Sequence, residues 1–236
     1  MRRGLRLAAI SLSMLLLAAC ASVTSIPYDR TAAGINSIAI LEPQMPEKAT
    51  VYEAADLGMS FGLIGALIDS GIQSNRQKKL ADVVEANNFS AKDVLIHAVD
   101  EALQARGYSF VAVPVERTKD DFMATYPDAP DGSQALLDLV VVEYGYLKAG
   151  AGKNAKWRPH VLLKARLVRA SDKAVLMESW FNYNPVNKTK GMVTVAPDPN
   201  FGYEDVDELI AGQTETLNGI QQAFAKTTDA MGTLLQ

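Results

Sequence analysis

Residues 90–115 read SAKDVLIHAVDEALQARGYSFVAVPV, and the change of period inside this stretch decides the fold. Ser90 can cap a helix, and Asp93 sits three residues on, beside the positive helix end. Val94, Leu95, Ala98, Val99, Ala102 and Leu103 then recur at helical spacing, and Gly107 follows the last turn. From Tyr108 the pattern switches to β-branched and aromatic residues, YSFVAVPV. Pro114 has no N–H to give, so this strand either ends there or runs along a sheet edge. Upstream, residues 36–41 (NSIAIL) form a short apolar run stopped by Pro43 and Pro46, which reads as the first strand. Strand, long connection with a helix, strand predicts a right-handed βαβ unit with parallel strands.

Downstream, residues 116–134 are charged and Pro-rich and read as a loop. Residues 136–147 contain LVVV, a continuous apolar run suited to a central strand covered on both faces. Residues 159–169 and 174–183 are two further β-rich runs joined by Ala170-Ser171-Asp172-Lys173, a hairpin signal. Lys164 and Arg166 alternate with Leu163, Ala165 and Leu167, which predicts one partly exposed face. Residues 184–202, with three prolines, read as a long loop. From near Glu204 an acidic start leads into apolar positions Ile210, Leu217, Ile220, Phe224, Met231 and Leu234, a helix docked on the sheet. The fold expected is an α/β (α+β) sandwich with a mixed sheet, in the order β-α-β-β-β-β-α. It occupies residues 36–236 as a single domain with an insertion at about 43–89.

That insertion holds the least ordinary stretch. Residues 57–68, LGMSFGLIGALI, run for twelve positions without a charge. Gly58, Gly62, Ala66 and Ser70 fall four apart, so on a helix they make one stripe of small side chains, with Gly65 beside it. Such a stripe suits a helix buried against its own sheet, a Gly-rich loop, or close docking of a second copy or partner. Membrane insertion fits poorly, because twelve residues span only ~18 Å as helix against a ~30 Å hydrocarbon core. Gly58-Met59-Ser60-Phe61-Gly62 also matches G-x-S-x-G. A hydrolase elbow needs a strand directly before the serine, however, and the preceding VYEAADL reads as helical.

At the amino terminus, Arg2, Arg3 and Arg6 precede an apolar run and then Leu17-Ala18-Ala19-Cys20. Charged region, apolar region and small residues before a cut make a secretory signal peptide of residues 1–19, cleaved between Ala19 and Cys20. The segment resembles the lipobox of bacterial lipoproteins. That resemblance implies an acylated Cys20 as first mature residue and, with Ala21 rather than aspartate next, an outer-membrane address facing the periplasm. Removing 19 of the 236 residues takes the formal charge from −4 to −7. An acidic chain lacks the footprint for non-specific nucleic-acid binding, and membrane attachment falls to the lipid on Cys20. Residues 20–35, without periodicity, read as a tether. With the lipobox in front, the order of elements, NSIAIL and the Gly107-Tyr108 strand entry resemble periplasmic lipoproteins of anticodon-binding-domain-like fold over residues 36–183. The curli secretion lipoprotein and the amino-terminal domain of the TolB translocation protein are examples. The resemblance implies a fold and assembly work at the envelope, and no site residues.

Little else points to chemistry. His97 and His160 are the only histidines and Cys20 the only cysteine, so no zinc spacing and no internal disulfide exist. Gly150-Ala151-Gly152-Lys153 fails the P-loop pattern, since Leu147 stands where a first glycine is required and Asn154 replaces Ser/Thr. The acidic clusters Asp120-Asp121 and Glu204, Asp205, Asp207, Glu208 lack the alternation of a calcium loop and read as solvated turns. Tyr144, Tyr146, Trp157, Trp180, Phe181 and Tyr183 concentrate in the strand region, as core or as an aromatic face for a protein or peptidoglycan partner. The expectation is therefore binding of envelope proteins, with self-association through the small-residue stripe, and no catalytic set, cofactor, metal or nucleic acid. A carrier of lipid or a small apolar ligand, and a hydrolase using Ser60, are the alternatives.

Overall fold

The computed structural model describes residues 22–54, 71–117, 119–150 and 155–236. Cys20, Ser60 and the stripe Gly58, Gly62, Gly65, Ala66, Ser70 lie outside the described residues. The chain forms a mixed seven-stranded sheet with helices, an α/β fold as expected. Strands β1 (Ser37–Leu41), β3 (Ser109–Val113), β4 (Ala135–Lys148), β5 (Trp157–Arg169) and β6 (Val175–Tyr183) correspond to the five predicted runs. Two more, β2 (Thr50–Glu53) and β7 (Met192–Val195), lie where a helix and a loop are expected. The sheet order is β3-β1-β4-β5-β6-β7, with β2 beside the far half of β4.

The opening stretch behaves as its pattern demands. Ser90 caps α3 (Ala91–Gln104), its hydroxyl accepting from the Asp93 N–H at 3.3 Å. Gly107 takes φ +76°, which glycine adopts at little cost, and turns the chain into β3. β3 pairs parallel with β1, as the βαβ reading requires, and ends at Val113 on the sheet edge, so both readings of Pro114 hold. β4 is parallel to β1 and antiparallel to β5, and the 170–173 hairpin joins β5 to β6.

One face of the sheet carries α2 (Gly71–Ala86), α3, α4 (Val206–Ala211) and α5 (Gln213–Leu234). Leu95, Val99 and Leu103 of α3 meet Ile220, Phe224 and Met231 of α5 over Ile38, Leu137, Leu163 and Phe181 in one core. Each such buried side chain contributes about 1.5–3 kcal/mol relative to exposure. Gly219 lets α5 settle close: a Cβ there would sit 3.0 Å from Pro159 Cγ and 3.1 Å from Phe201 Cδ1. Tyr144, Tyr146, Trp157, Phe181 and Tyr183 all belong to this core, while Trp180 is half-buried on the opposite face.

Three expectations need correction. The stretch VYEAADL, read as helical, begins in β2, because Thr50 to Glu53 find ladder partners in Gly145 to Lys148. Gly145 permits that pairing: it takes φ +139°, and a Cβ would collide with the Thr50 carbonyl. The 184–202 loop contains β7, parallel to β6. The described part of the tether is docked on the domain. Ile26 exchanges backbone hydrogen bonds with Glu178 of β6, and the Val23 N–H donates to Lys190 O at 3.1 Å. A one-turn helix α1 (Arg30–Ala33), capped by Asp29, sets the Arg30 guanidinium 4.4 Å from the Tyr108 ring centre. No helix among the described residues is long and apolar enough to cross a membrane.

Candidate functional site

The sheet face opposite the helices is where the polar chemistry collects. Strand alternation sends Val168, Arg166, Lys164, Leu162 and His160 of β5 to this side. Register places Arg166 between Asp138 and Glu178, Lys164 between Val140 and Trp180, and Leu162 between Glu143 and Asn182. The alternation predicts partial exposure here. Arg166 and Trp180 are half-buried on this face, as expected, whereas Lys164 is buried, because the 119–126 loop and the docked residues 22–26 fold over it.

Asp138 anchors that loop. Its carboxylate, fully buried, accepts from Arg117 Nη2 at 2.7 Å, the Met123 N–H at 2.8 Å and the Tyr126 hydroxyl at 3.0 Å. Burial, reinforced by the Asp138 charge, raises the Tyr126 phenol far above its ordinary range, so it donates. Arg166 reaches both Tyr126 Oη at 3.3 Å and Glu178 Oε2 at 2.7 Å. Lys164 pairs with Asp121. Phe122 lies across both cations, 4.1 Å from the Arg166 guanidinium and 4.7 Å from Lys164 Nζ, and Trp180 is 5.0 Å from Lys164. Partial burial works to raise the Asp121 carboxyl, but the Lys164 hydrogen bond, the Phe122 N–H and the nearby cations bring it below the usual range. Between the loop and residues 22–24 lies an open cleft of about 320 Å³, floored by Lys164, Arg166, Glu178 and Trp180. Its paired charges and aromatic walls suit a polar or zwitterionic surface better than a free apolar ligand.

Further along the same face, a β-bulge at Val141/Glu143 turns the Glu143 side chain away from the helices. Glu143 Oε1 lies 2.7 Å from His160 Nε2 and accepts from the Tyr52 hydroxyl at 2.9 Å. All three are sealed, at 3%, 2% and 6% exposure. His160 Nδ1 sits 2.8 Å from the Tyr183 carbonyl, which only accepts, so Nδ1 carries a proton. Nε2 faces the Glu143 carboxyl oxygen at 2.7 Å, so the imidazole bridges the Tyr183 carbonyl and Glu143. Burial, then the Glu143 charge, keeps the Tyr52 hydroxyl protonated well above the phenol range. Glu143 Oε2 has no partner among the described residues. The cluster ties β2, β4, β5 and β6 together away from bulk water.

Of the residues singled out in the sequence, His160 enters this cluster and Trp180 enters the cleft. His97 is exposed on α3 beside Glu101. Asp121 is held by Lys164, Glu204 pairs with Lys156, Asp207 pairs with Lys79, and Asp205 caps α4. The clues missed in the sequence are Asp138 and Glu143: acids inside an apolar central strand must be paired, and the pairing marks the covered face.

No family model matches the chain, and no curated protein matches its sequence. Among solved structures, a DUF330 protein from Xanthomonas campestris is similar at 15% identity and a TM-score of 0.41, over 83% of this chain and 81% of that one. The PelC dodecamer from Paraburkholderia phytofirmans is similar at 10% identity and a TM-score of 0.32, over 88% of this chain and 94% of that one.

Proposed function

We propose that the protein is a lipid-anchored component of the bacterial outer membrane, facing the periplasm, that acts by binding other envelope proteins. The observation that carries this reading is the run of three arginines, apolar segment and Leu17-Ala18-Ala19-Cys20. The cleft supports the binding part. Phe122, Trp180 and Arg166 are the side-chain types that dominate protein interfaces, gathered at an accessible place. The test is the mass of the mature protein from membranes together with cell fractionation. An acyl mass on Cys20, and release of Cys20→Ser from the membrane fraction, are expected. Unmodified Cys20, or a fully membrane-held variant, refutes the anchor. Crosslinking in intact cells through a photoreactive residue at position 122 or 180 is expected to capture discrete envelope proteins. A chain that crosslinks to nothing there refutes the binding part.

A further inference from the structure

We infer that the loop 186–191, together with Ser22 and Val23, is the surface through which the domain rests on anionic lipid headgroups. The inference rests on the lipid-anchor reading and says which face meets the membrane. Ser22 lies two residues after Cys20, so the fold begins no more than about 7 Å of chain from the acyl-bearing residue. At that point Ser22 forms a bridge to Lys190, and Val23 donates to its carbonyl. Gly191 locks the contact: it takes φ +86°, and a Cβ would sit 2.7 Å from the Val23 carbonyl. The loop that is fixed beside the chain's exit carries Lys188 and Lys190. Both are exposed, and neither has an ion pair among the described residues. Residues 184–197 contain no acid, and the nearest cleft carboxylates, Asp121 and Glu178, are each occupied by a cation. In a mature chain of formal charge −7, two unpaired lysines at the membrane-proximal point complement phosphate-bearing headgroups.

The lysines are too few to bind the membrane alone; they orient a domain that the anchor already holds there. Their effect on the docked-to-undocked ratio is about 5-fold each, about 25-fold for the pair, and is screened by salt. The test uses the full lipidated protein in vesicles of phosphatidylethanolamine and phosphatidylglycerol, with phosphatidylcholine vesicles as the uncharged comparison. Backbone hydrogen exchange of residues 186–191 is the readout. Slowing by up to about 25-fold on the anionic vesicles is expected, with loss of that slowing in K188E/K190E at unchanged vesicle flotation. A protein that floats with the vesicles while 186–191 exchanges as fast on either composition overturns this inference and leaves the anchor standing. A protein that does not float overturns the anchor reading and this inference with it.

Discussion

Replacing Tyr52 by Phe removes one oxygen from the buried cluster and little else. That oxygen donates to Glu143 Oε1 at 2.9 Å and lies 3.4 Å from His160 Nε2. Glu143 has no other donor than His160 among the described residues, and its second oxygen has none. Leaving a buried acceptor without its donor costs about 1–3 kcal/mol, and at 3% exposure water cannot replace it. The expected loss is therefore about 2 kcal/mol, roughly a 30-fold fall in the folding equilibrium constant. Urea unfolding followed by circular dichroism measures it as a lower midpoint at unchanged slope. The cycle with His160→Phe sharpens the reasoning. Because both groups converge on one carboxylate oxygen, their losses are expected to be non-additive by at least about 0.5 kcal/mol. A Tyr52→Phe loss below about 0.5 kcal/mol, or strict additivity, would refute Tyr52 and His160 as coupled partners of one buried carboxyl oxygen.

Other perturbations probe the surrounding structure. Asp138→Ala leaves the Arg117 guanidinium, 7% exposed, without its carboxylate and is expected to cost about 3–5 kcal/mol, with faster proteolysis between 117 and 134. A variant cleaved no faster than wild type would show that Asp138 does not hold the loop. Gly219→Ala gains helix propensity of about 1 kcal/mol but forces a methyl against Pro159 and Phe201, so net destabilisation of about 1–3 kcal/mol is expected by thermal or urea unfolding. Asp121 has a folded-state pKa below its unfolded value, so its contribution is fully present above the ordinary carboxylate range and is lost as pH falls through the folded pKa. The urea midpoints of wild type and Asp121→Asn should accordingly differ most near pH 7 and converge below about pH 4. A constant gap across that range would remove Asp121 from the acid response.

What could be read from the sequence was what local pattern controls. Ser90, Gly107 and the period switch between them placed α3 and β3, and the apolar run through Val140 placed β4 at the centre of the sheet. β2 and β7 escaped because four residues such as TVYE carry no period. β2 is a strand only because Gly145, nearly a hundred residues on, lets Thr50 approach β4. The polar face escaped for a related reason. Tyr52, Glu143 and His160 meet across 91 and 108 residues of chain, and a bulge reverses the side on which Glu143 points. Residues 22–26 look like linker because their hydrogen bonds are made by backbone to a sheet edge, which needs no particular side chains. Gly219, by composition a weak point in α5, is instead a position where that helix lies close against Tyr146, Pro159 and Phe201.

The way residues 22–33 lie on the sheet also sets how the protein answers mechanical force. Tension on the chain ahead of Ser22 reaches the Val23–Lys190 bond first and the Ile26–Glu178 pair next. Those contacts are few and lie outside the β4–β5–β6 pairing, so the segment can leave with that ladder's own hydrogen bonds intact. The last clasp is α1, where Arg30 is gripped by Tyr108 and the Arg106 carbonyl. Beyond it the chain enters β1, held on both sides by β3 and β4. Twelve residues freed in this way release up to about 40 Å of chain. Residues 22–33 are thus a length of chain laid on the surface of the fold, separate from the ladder that holds its core.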